Sequence, residues 1–414
     1  MPALRHADDL DEGLVSLPRV PLQGRLLRLG LDSRYRWTIL ALGTAAQASY
    51  SAVFLGLPVL APALQNEYDL SLTGVGLLLA AASAGSIFTL LPWGLLADHA
   101  GERRVLAAGL AIAAAALAGA AYAPSLWVLA AMLTLAGAAG ASVNAASGRA
   151  VMSWFAPAQR GFALGIRQTA VPLGGAAAAL FLPPAAAAGG VRAGLLVLAG
   201  GCLVTAVAGA VGLREAPPEP ADSFGDVTHP FRDARIWRLS GGSALLVGAQ
   251  MTMLGFTVLF LHGERGLSTA AAAGVLALMQ VLGAGLRVAT GRWSDRLGAR
   301  VAPLLRLSFA LSVALAATAA LTAAPLAVLL PTLVVAGALA SSWNGLSFTA
   351  AAELTGRARS GAALGFQQTA LSVAAAATPP VFASVVEQGS WALGFGLAAL
   401  LPLAGIGLMR RLTV

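Results

Sequence analysis

Apolar residues along this chain gather into successive runs of about 20, each long enough as a helix to cross the hydrocarbon core of a bilayer. Short connectors separate the runs, and most of the charged residues collect there. The pattern predicts twelve helical spans, beginning near Trp37, Thr73, Val105, Ser125, Phe162, Arg192, Ile236, Thr269, Val301, Pro325, Ala362 and Trp391. The spans are rich in Gly and Ala, small residues that let membrane helices approach closely. The expected fold class is all-α: a polytopic membrane protein.

One connector differs from the rest. Arg214 to Arg235, "REAPPEPADSFGDVTHPFRDAR", is polar and Pro-rich, lacks an apolar face, and reads as a linker with six spans on either side. The expected organisation is a tail over residues 1–36, a six-helix bundle over 37–213, the linker over 214–235, and a second six-helix bundle with a short tail over 236–414. The first thirty-odd residues mix arginines with acids and have no apolar core of the secretory type, so they are not read as a cleavable signal.

Composition agrees with this picture. Hydrophobic residues make up 58% and charged residues 11% of the 414, where a water-soluble domain carries roughly 25% charged residues. The net charge of +8 would suit nucleic acid, but its distribution does not. Every basic residue is arginine, and alternate connectors hold most of them: Arg103 and Arg104, Arg160, Arg214 to Arg238, Arg292 to Arg300, Arg357 and Arg359, and the tails. The opposite connectors hold only Arg192 and Arg265. Cytoplasmic loops retain positive charge in this way, which places both termini in the cytoplasm. The single cysteine, Cys202, can build neither a disulfide nor a thiolate cluster. No cofactor, metal or nucleic-acid partner is expected; the partners are membrane lipid and a small molecule, and the chain is expected to be a monomer.

The two halves repeat each other. At an offset of 200 stand Asn144/Asn344, Ser147/Ser347, Gly161/Gly361, Leu164/Leu364, Gly165/Gly365, Gln168/Gln368 and Thr169/Thr369. At an offset of 197, "GLLADHAGERR" from Gly94 pairs with "GRWSDRLGAR" from Gly291, aligning Gly94/Gly291, Asp98/Asp295, Gly101/Gly298 and Arg103/Arg300. This doubled G-x-x-x-D-x-x-G-x-R string, after spans two and eight of a six-plus-six chain, resembles the major facilitator superfamily over residues 37–410. The resemblance implies two six-helix bundles around a central cavity, substrate near the midplane, and access that alternates as the halves rock. It also implies that Gly94, Asp98, Gly101, Arg103, Arg104, Gly291, Asp295, Gly298 and Arg300 form a cytoplasmic latch. His99 and Glu102 depart from the commoner basic residues of that latch and soften it.

Ionisable side chains inside spans cost roughly 2.5–3.5 kcal/mol on insertion scales and mark function. Arg167 stands about six residues into span five, about 9 Å along the helix. Arg287 stands in span eight, eight residues before Asp295 and four before Gly291. Nitrate/nitrite porters and monocarboxylate transporters are similar in carrying an anion-binding arginine at this place. Nitrate itself is disfavoured, because those porters have a second arginine where this chain has Leu90. Arg149 and Arg306 lie nearer the cytoplasmic ends and are read as snorkelling. No Asp or Glu lies deep in any span, so proton coupling falls to the substrate or to His262.

Amides complete the expected site: Gln47, Asn144, Gln168, Gln250, Gln280, Asn344, Gln367 and Gln368, since an unpaired amide in lipid is costly. Gln280 and Arg287, seven apart, share one helix face. The function expected is transport of a small organic anion, carboxylate-like, with Arg167 and Arg287 meeting its charge. An exporter of uncharged or amphipathic compounds, with structural arginines, is the rival within transport. A membrane sensor or membrane enzyme is the rival outside it, and the clustered acids or histidines that such an enzyme needs are not visible.

Overall fold

The computed structural model describes residues 22–155, 157–215, 233–355 and 360–412. The tail before residue 22 and most of the 214–235 linker lie outside them. In the first half α1 (Leu22–Tyr68), α2 (Leu72–Ala100) and α3 (Glu102–Ala120) follow one another. α4 (Leu126–Gly140) and α5 (Ser142–Trp154) make one crossing between them, broken at Ala141. α6 (Pro157–Gly212) runs 56 residues and leaves helical geometry at Gly189 and Gly190, where the chain turns back. In the second half α7 (Ala234–Leu259) ends in a π-helical turn, Phe260–Glu264, and α8 (Thr269–Leu297) and α9 (Val301–Ala320) follow. α10 (Leu326–Ala340) and α11 (Asn344–Thr355) form a second broken crossing, before α12 (Ser360–Gln388) and α13 (Trp391–Met409).

Eleven helical segments are long and apolar enough to span a membrane, and one of them, Ala163–Gly212, is 50 residues long. That is about 75 Å of helix at 1.5 Å per residue, enough for two crossings. Twelve crossings result. The protein is a multi-pass, all-helical membrane protein. An even number of crossings puts Arg34 and Arg410 on one face, the terminal face; Asp69 and Gly266 lie on the other, the distal face. Large apolar side chains such as Phe88, Trp127, Val211 and Phe309 point outward, which suits contact with lipid tails.

The repeat seen in the residues is a repeat in space. Ser71 caps α2 through the Gly74 N–H at 3.1 Å, and Ser268 caps α8 through the Ala271 N–H at 3.2 Å, satisfying N–H groups that a helix start leaves free. α2 packs on α4, and α8 on α10. At the first of these contacts Gly137 lies against the Ala82 carbonyl so closely that a Cβ would collide with it. At the second, a Cβ on Gly283 would stand 2.6 Å from Ser341 Cβ. Small residues bring the backbones together where lipid provides no hydrophobic drive between helices.

The halves meet along a seam of three pairs: α1 on α7, α2 on α12, and α6 on α8. The distal end of the seam is closed. Glu387, near the end of α12, accepts hydrogen bonds from the Thr73 N–H at 3.1 Å and from the Thr73 hydroxyl, so it caps the start of α2 from the opposite half. Just below, a Cβ on Gly76 would be 2.7 Å from the Pro379 carbonyl oxygen. Toward the terminal face the seam helices are looser: Gly94, Gly165, Gly291 and Gly365 have no atom within 4 Å of where a Cβ would stand.

Candidate functional site

Between the halves lies a cavity of about 210 Å³. Its polar end is made by Gln47 of α1, Asn144 of α5, Gln168 of α6, Gln250 of α7, Asn344 of α11 and Gln368 of α12, with Arg287 of α8. Farther along α1, α7 and α12 toward the distal face the lining turns apolar, through Phe54, Pro58, Leu254 and Pro379, joined by Leu79 of α2, with Phe348 of α11 on another side. Seven of the ten residues expected at the site thus line one cavity. Arg167, Gln280 and Gln367 do not; they stand behind its wall.

Arg287 is the one charged side chain among the residues that line the cavity, and no carboxylate faces it there. Its guanidinium is held by neutral acceptors. Nε and Nη2 donate to the Ser341 carbonyl at 3.2 and 2.7 Å, and Nη2 also donates to Asn344 Oδ1 at 2.9 Å. Ser341 closes α10 at the break before α11, so the cation sits at the negative end of a helix dipole. Nη1 crosses the seam to the Gln168 carbonyl of α6 at 2.8 Å. Asn344 is held in turn by the Gln250 Oε1, 3.5 Å from its Nδ2. A buried charge balanced by dipoles alone keeps a desolvation cost of several kcal/mol, which an anion in the cavity would offset.

Arg167 has different surroundings. Its Nε donates to Ser147 Oγ at 2.9 Å and its Nη2 to Gln47 Oε1 at 2.6 Å, with the Val143 carbonyl at 3.5 Å. The guanidinium therefore braces α6 against α1 and α5, and reaches the cavity only through Gln47. The second half builds the same brace without charge. Gln367 Nε2 donates to Ser347 Oγ at 2.6 Å and to Ser243 Oγ at 3.3 Å, and the two hydroxyls share a hydrogen bond. Gln280 is fully buried, its Oε1 accepting from Ser341 Oγ at 3.1 Å and its Nε2 lying without an acceptor against Gly175 of α6.

The two signature strings end their helices alike. Gly101 at φ 86 closes α2, and Gly298 at φ 59 closes α8; a side chain at either position would be strained. Arg300 donates to Asp295, to Glu353 at 3.0 Å and to Ser294 Oγ at 3.0 Å, all in its own half. Arg103 and Arg104 are exposed, and the Asp98 side chain lies outside the described structure. Glu102 forms an ion pair with Arg149 at 3.5 Å, so Arg149, expected to snorkel, has a protein partner instead. His262 Nδ1 donates to the Leu267 carbonyl at 2.7 Å beyond the π-helical turn, away from the cavity lining.

Several residues of the site carried weak signals in the chain. Ser147 and Ser347 appeared only as repeat identities; they anchor the two braces. Nothing in the chain sets Tyr50, Phe54 and Phe348 apart from other span residues, yet they line the cavity. The cross-seam cap by Glu387 had no signal, because one acid at the end of a span looks like any interfacial residue.

Comparison with known proteins agrees with this architecture. Residues 40–379 match the model of the Major Facilitator Superfamily. An uncharacterized MFS-type transporter of Mycobacterium tuberculosis, Rv2994, is 37% identical over 377 residues, covering 90% of this chain and 84% of the relative. Among solved structures, a bacterial homolog of the human lysosomal transporter Spinster, in an inward-facing and occupied conformation, superposes with a TM-score of 0.72 at 16% identity, covering 91% of this chain and 95% of that one. The nucleoside transporter NupG (D323A mutant) superposes with a TM-score of 0.71 at 15% identity, covering 90% and 99%. At such identities the two structures speak for the fold; the family match and the relative speak for descent. The chain belongs to the major facilitator superfamily of transporters.

Proposed function

We propose that the protein carries a small organic anion across the membrane by alternating access, and that its preferred substrate is a monocarboxylate with an apolar body. The observation that carries this is Arg287: one cation, no counter-carboxylate, in the polar end of a cavity whose other end is apolar. The carboxylate would meet Arg287 and the surrounding amides, while Phe54, Leu254 and Pro379 take the body. A single cation in the lining favours one negative charge over two or three. Each chain encloses a whole cavity, so a monomer suffices.

The arginine-rich terminal face is taken as cytoplasmic, by the retention of positive charge on that side of a membrane, and the membrane as the cytoplasmic membrane of a bacterium. Arginines there would also meet lipid phosphate. The latch assignment for the two signature strings belongs to the same reading: they would fasten the terminal face when the transporter opens distally.

A second reading has an observation of its own. Arg287 already has three neutral acceptors, as it would if it were structural, and the amide-rich lining suits an uncharged polar or amphipathic solute. Counterflow in proteoliposomes separates the two. Under the anion reading, a labelled monocarboxylate exchanges in wild type and not in Arg287→Gln. Exchange of uncharged solutes alone, unaffected by Arg287→Gln, would favour the second.

A further inference from the structure

Arg287 crosses the seam to a carbonyl that α6 cannot use itself. In a regular helix the Gln168 carbonyl accepts from the N–H of the fourth residue on. That residue is Pro172, inside α6 and buried; it has no N–H, and its ring crowds the same carbonyl. The orphaned oxygen accepts instead from Arg287 Nη1 at 2.8 Å. Other prolines interrupt other helices, Pro58, Pro92 and Pro379 among them. Of the carbonyls that helix prolines free, only that of Gln168 accepts a hydrogen bond from a side chain of the opposite half, among the described residues. The repeat makes the point sharper. Ser372 stands 200 residues after Pro172, and a serine N–H is available to the Gln368 carbonyl. The device exists in one half.

The other acceptors of Arg287, Ser341 and Asn344, belong to its own half and move with it. The bond to Gln168 is the one that must break if α6 and α8 part. Two turns away on α8, Gln280 leaves Nε2 without an acceptor against Gly175 of α6, so no other hydrogen bond reinforces the seam at that point.

We propose that Pro172 is a positioning residue for transport: by freeing the Gln168 carbonyl it parks Arg287 across the seam in the empty transporter, and an incoming carboxylate takes over the parked N–H and releases α6 from α8. This rests on the reading of Arg287 as the anion-binding group. No proton moves; one N–H changes acceptor. The exchange is favourable because a carboxylate sets a full negative charge against the guanidinium and can accept two parallel N–H bonds, where the Gln168 carbonyl offers only a dipole. It supplies the differential interaction that any ligand-driven conformational change requires, since the anion competes with a bond that exists in one seam arrangement only.

The test uses the full-length protein in lipid nanodiscs, titrated with monocarboxylates from acetate to benzoate, in wild type, Pro172→Ala, Pro172→Gly and Arg287→Gln. Both Pro172 variants restore an N–H for the Gln168 carbonyl, while alanine favours helix and glycine disfavours it. A shared effect therefore reports the N–H rather than the stiffness of α6. Removing a competing resting state should tighten binding of the best carboxylate about 3- to 10-fold in both variants, and slow its exchange in proteoliposomes. In the ligand-free protein, the melting-temperature changes of Arg287→Gln and Pro172→Ala should combine to less than their sum, because both remove one bond. Unchanged or weaker affinity in either Pro172 variant, or fully additive ligand-free effects, overturns the proposal. The anion reading survives that outcome if Arg287→Gln abolishes binding. Binding that persists in Arg287→Gln, or no carboxylate binding by wild type, overturns that reading and this proposal together.

Discussion

Arg167 and Arg287 are alike in most respects that a sequence records. Each is buried, each stands ten residues from the terminal-face end of its helix, α6 or α8, and the two helices face each other across the seam. Their neighbours differ. Arg167 donates to side chains of its own half and has a neutral counterpart, Gln367, that makes the same brace in the other half. Arg287 donates mainly to backbone carbonyls, one of them across the seam, and lines the cavity; its place in the first half is taken by Leu90. On the function proposed above, a buried cation is either a brace or a ligand for charge according to what surrounds it. The repeat separates the two cases: a brace can be rebuilt with an amide, and Arg287 has no such substitute.

The largest effect should come from Arg287→Gln. Losing one partner of a buried, charge-assisted contact costs about 2–5 kcal/mol, so carboxylate exchange in proteoliposomes should fall by about 30-fold or more. Melting temperature should change far less than transport. Near-wild-type exchange would make Arg287 a second brace and erase the contrast.

Arg167 should respond in the opposite sense. Arg167→Gln imitates Gln367 and should fold normally, with a loss of carboxylate affinity smaller than tenfold, because the charge acts on the cavity only through Gln47. Arg167→Met removes the donor to Ser147 Oγ and Gln47 Oε1, while Ser147 still donates to the Val143 carbonyl and Gln47 to Ser51; a buried acceptor that loses its donor costs about 1–3 kcal/mol. The variant should lower the melting temperature clearly more than Arg167→Gln does. Equal melting temperatures for the two variants would show that the brace contributes nothing.

A smaller effect should appear at the distal end of the seam. Glu387→Gln weakens the cap on α2, where a net hydrogen bond contributes about 0.5–1.5 kcal/mol. Cys202 is fully buried, so a Ser83→Cys reporter in the cavity can be read with an impermeant maleimide applied from the distal face. Labelling should quicken a few-fold. An unchanged rate would mean that Gly76 packed on Pro379 closes that end without Glu387.

The contrast between the arginines was only half legible in the chain. Span number, the six-plus-six division and the signature glycines were all readable, because bilayer thickness and positive φ leave direct marks on sequence. Arg287 stood out through its depth in span eight and through the resemblance to porters that carry an arginine at a similar place, and it lines the cavity. The partners of Arg167 were not readable, since they depend on how α1, α5 and α6 are rotated, and lipid-facing and protein-facing sides of these helices are equally apolar. Pro172 was visible four residues after Gln168, but that the freed Gln168 carbonyl would be taken by Arg287, 119 residues away, required the packed seam. The breaks at Ala141 and Ser341 were hidden for a similar reason: neither carries a proline, and the small and polar residues that follow, Ser142 and Asn144 or Ser342 and Asn344, also fit an unbroken helix.

The most direct test of Arg287 as the anion-recognising group compares an acid with its neutral isostere. Purified protein is melted in the presence of benzoate and, separately, of benzamide, which has nearly the same shape and no charge. At 100 times its dissociation constant a ligand stabilises its target by about 2.7 kcal/mol. Benzoate should raise the melting temperature of wild type, benzamide should not, and Arg287→Gln should abolish the difference. Equal stabilisation by the two compounds, or a benzoate shift that persists in Arg287→Gln, would contradict that role for Arg287.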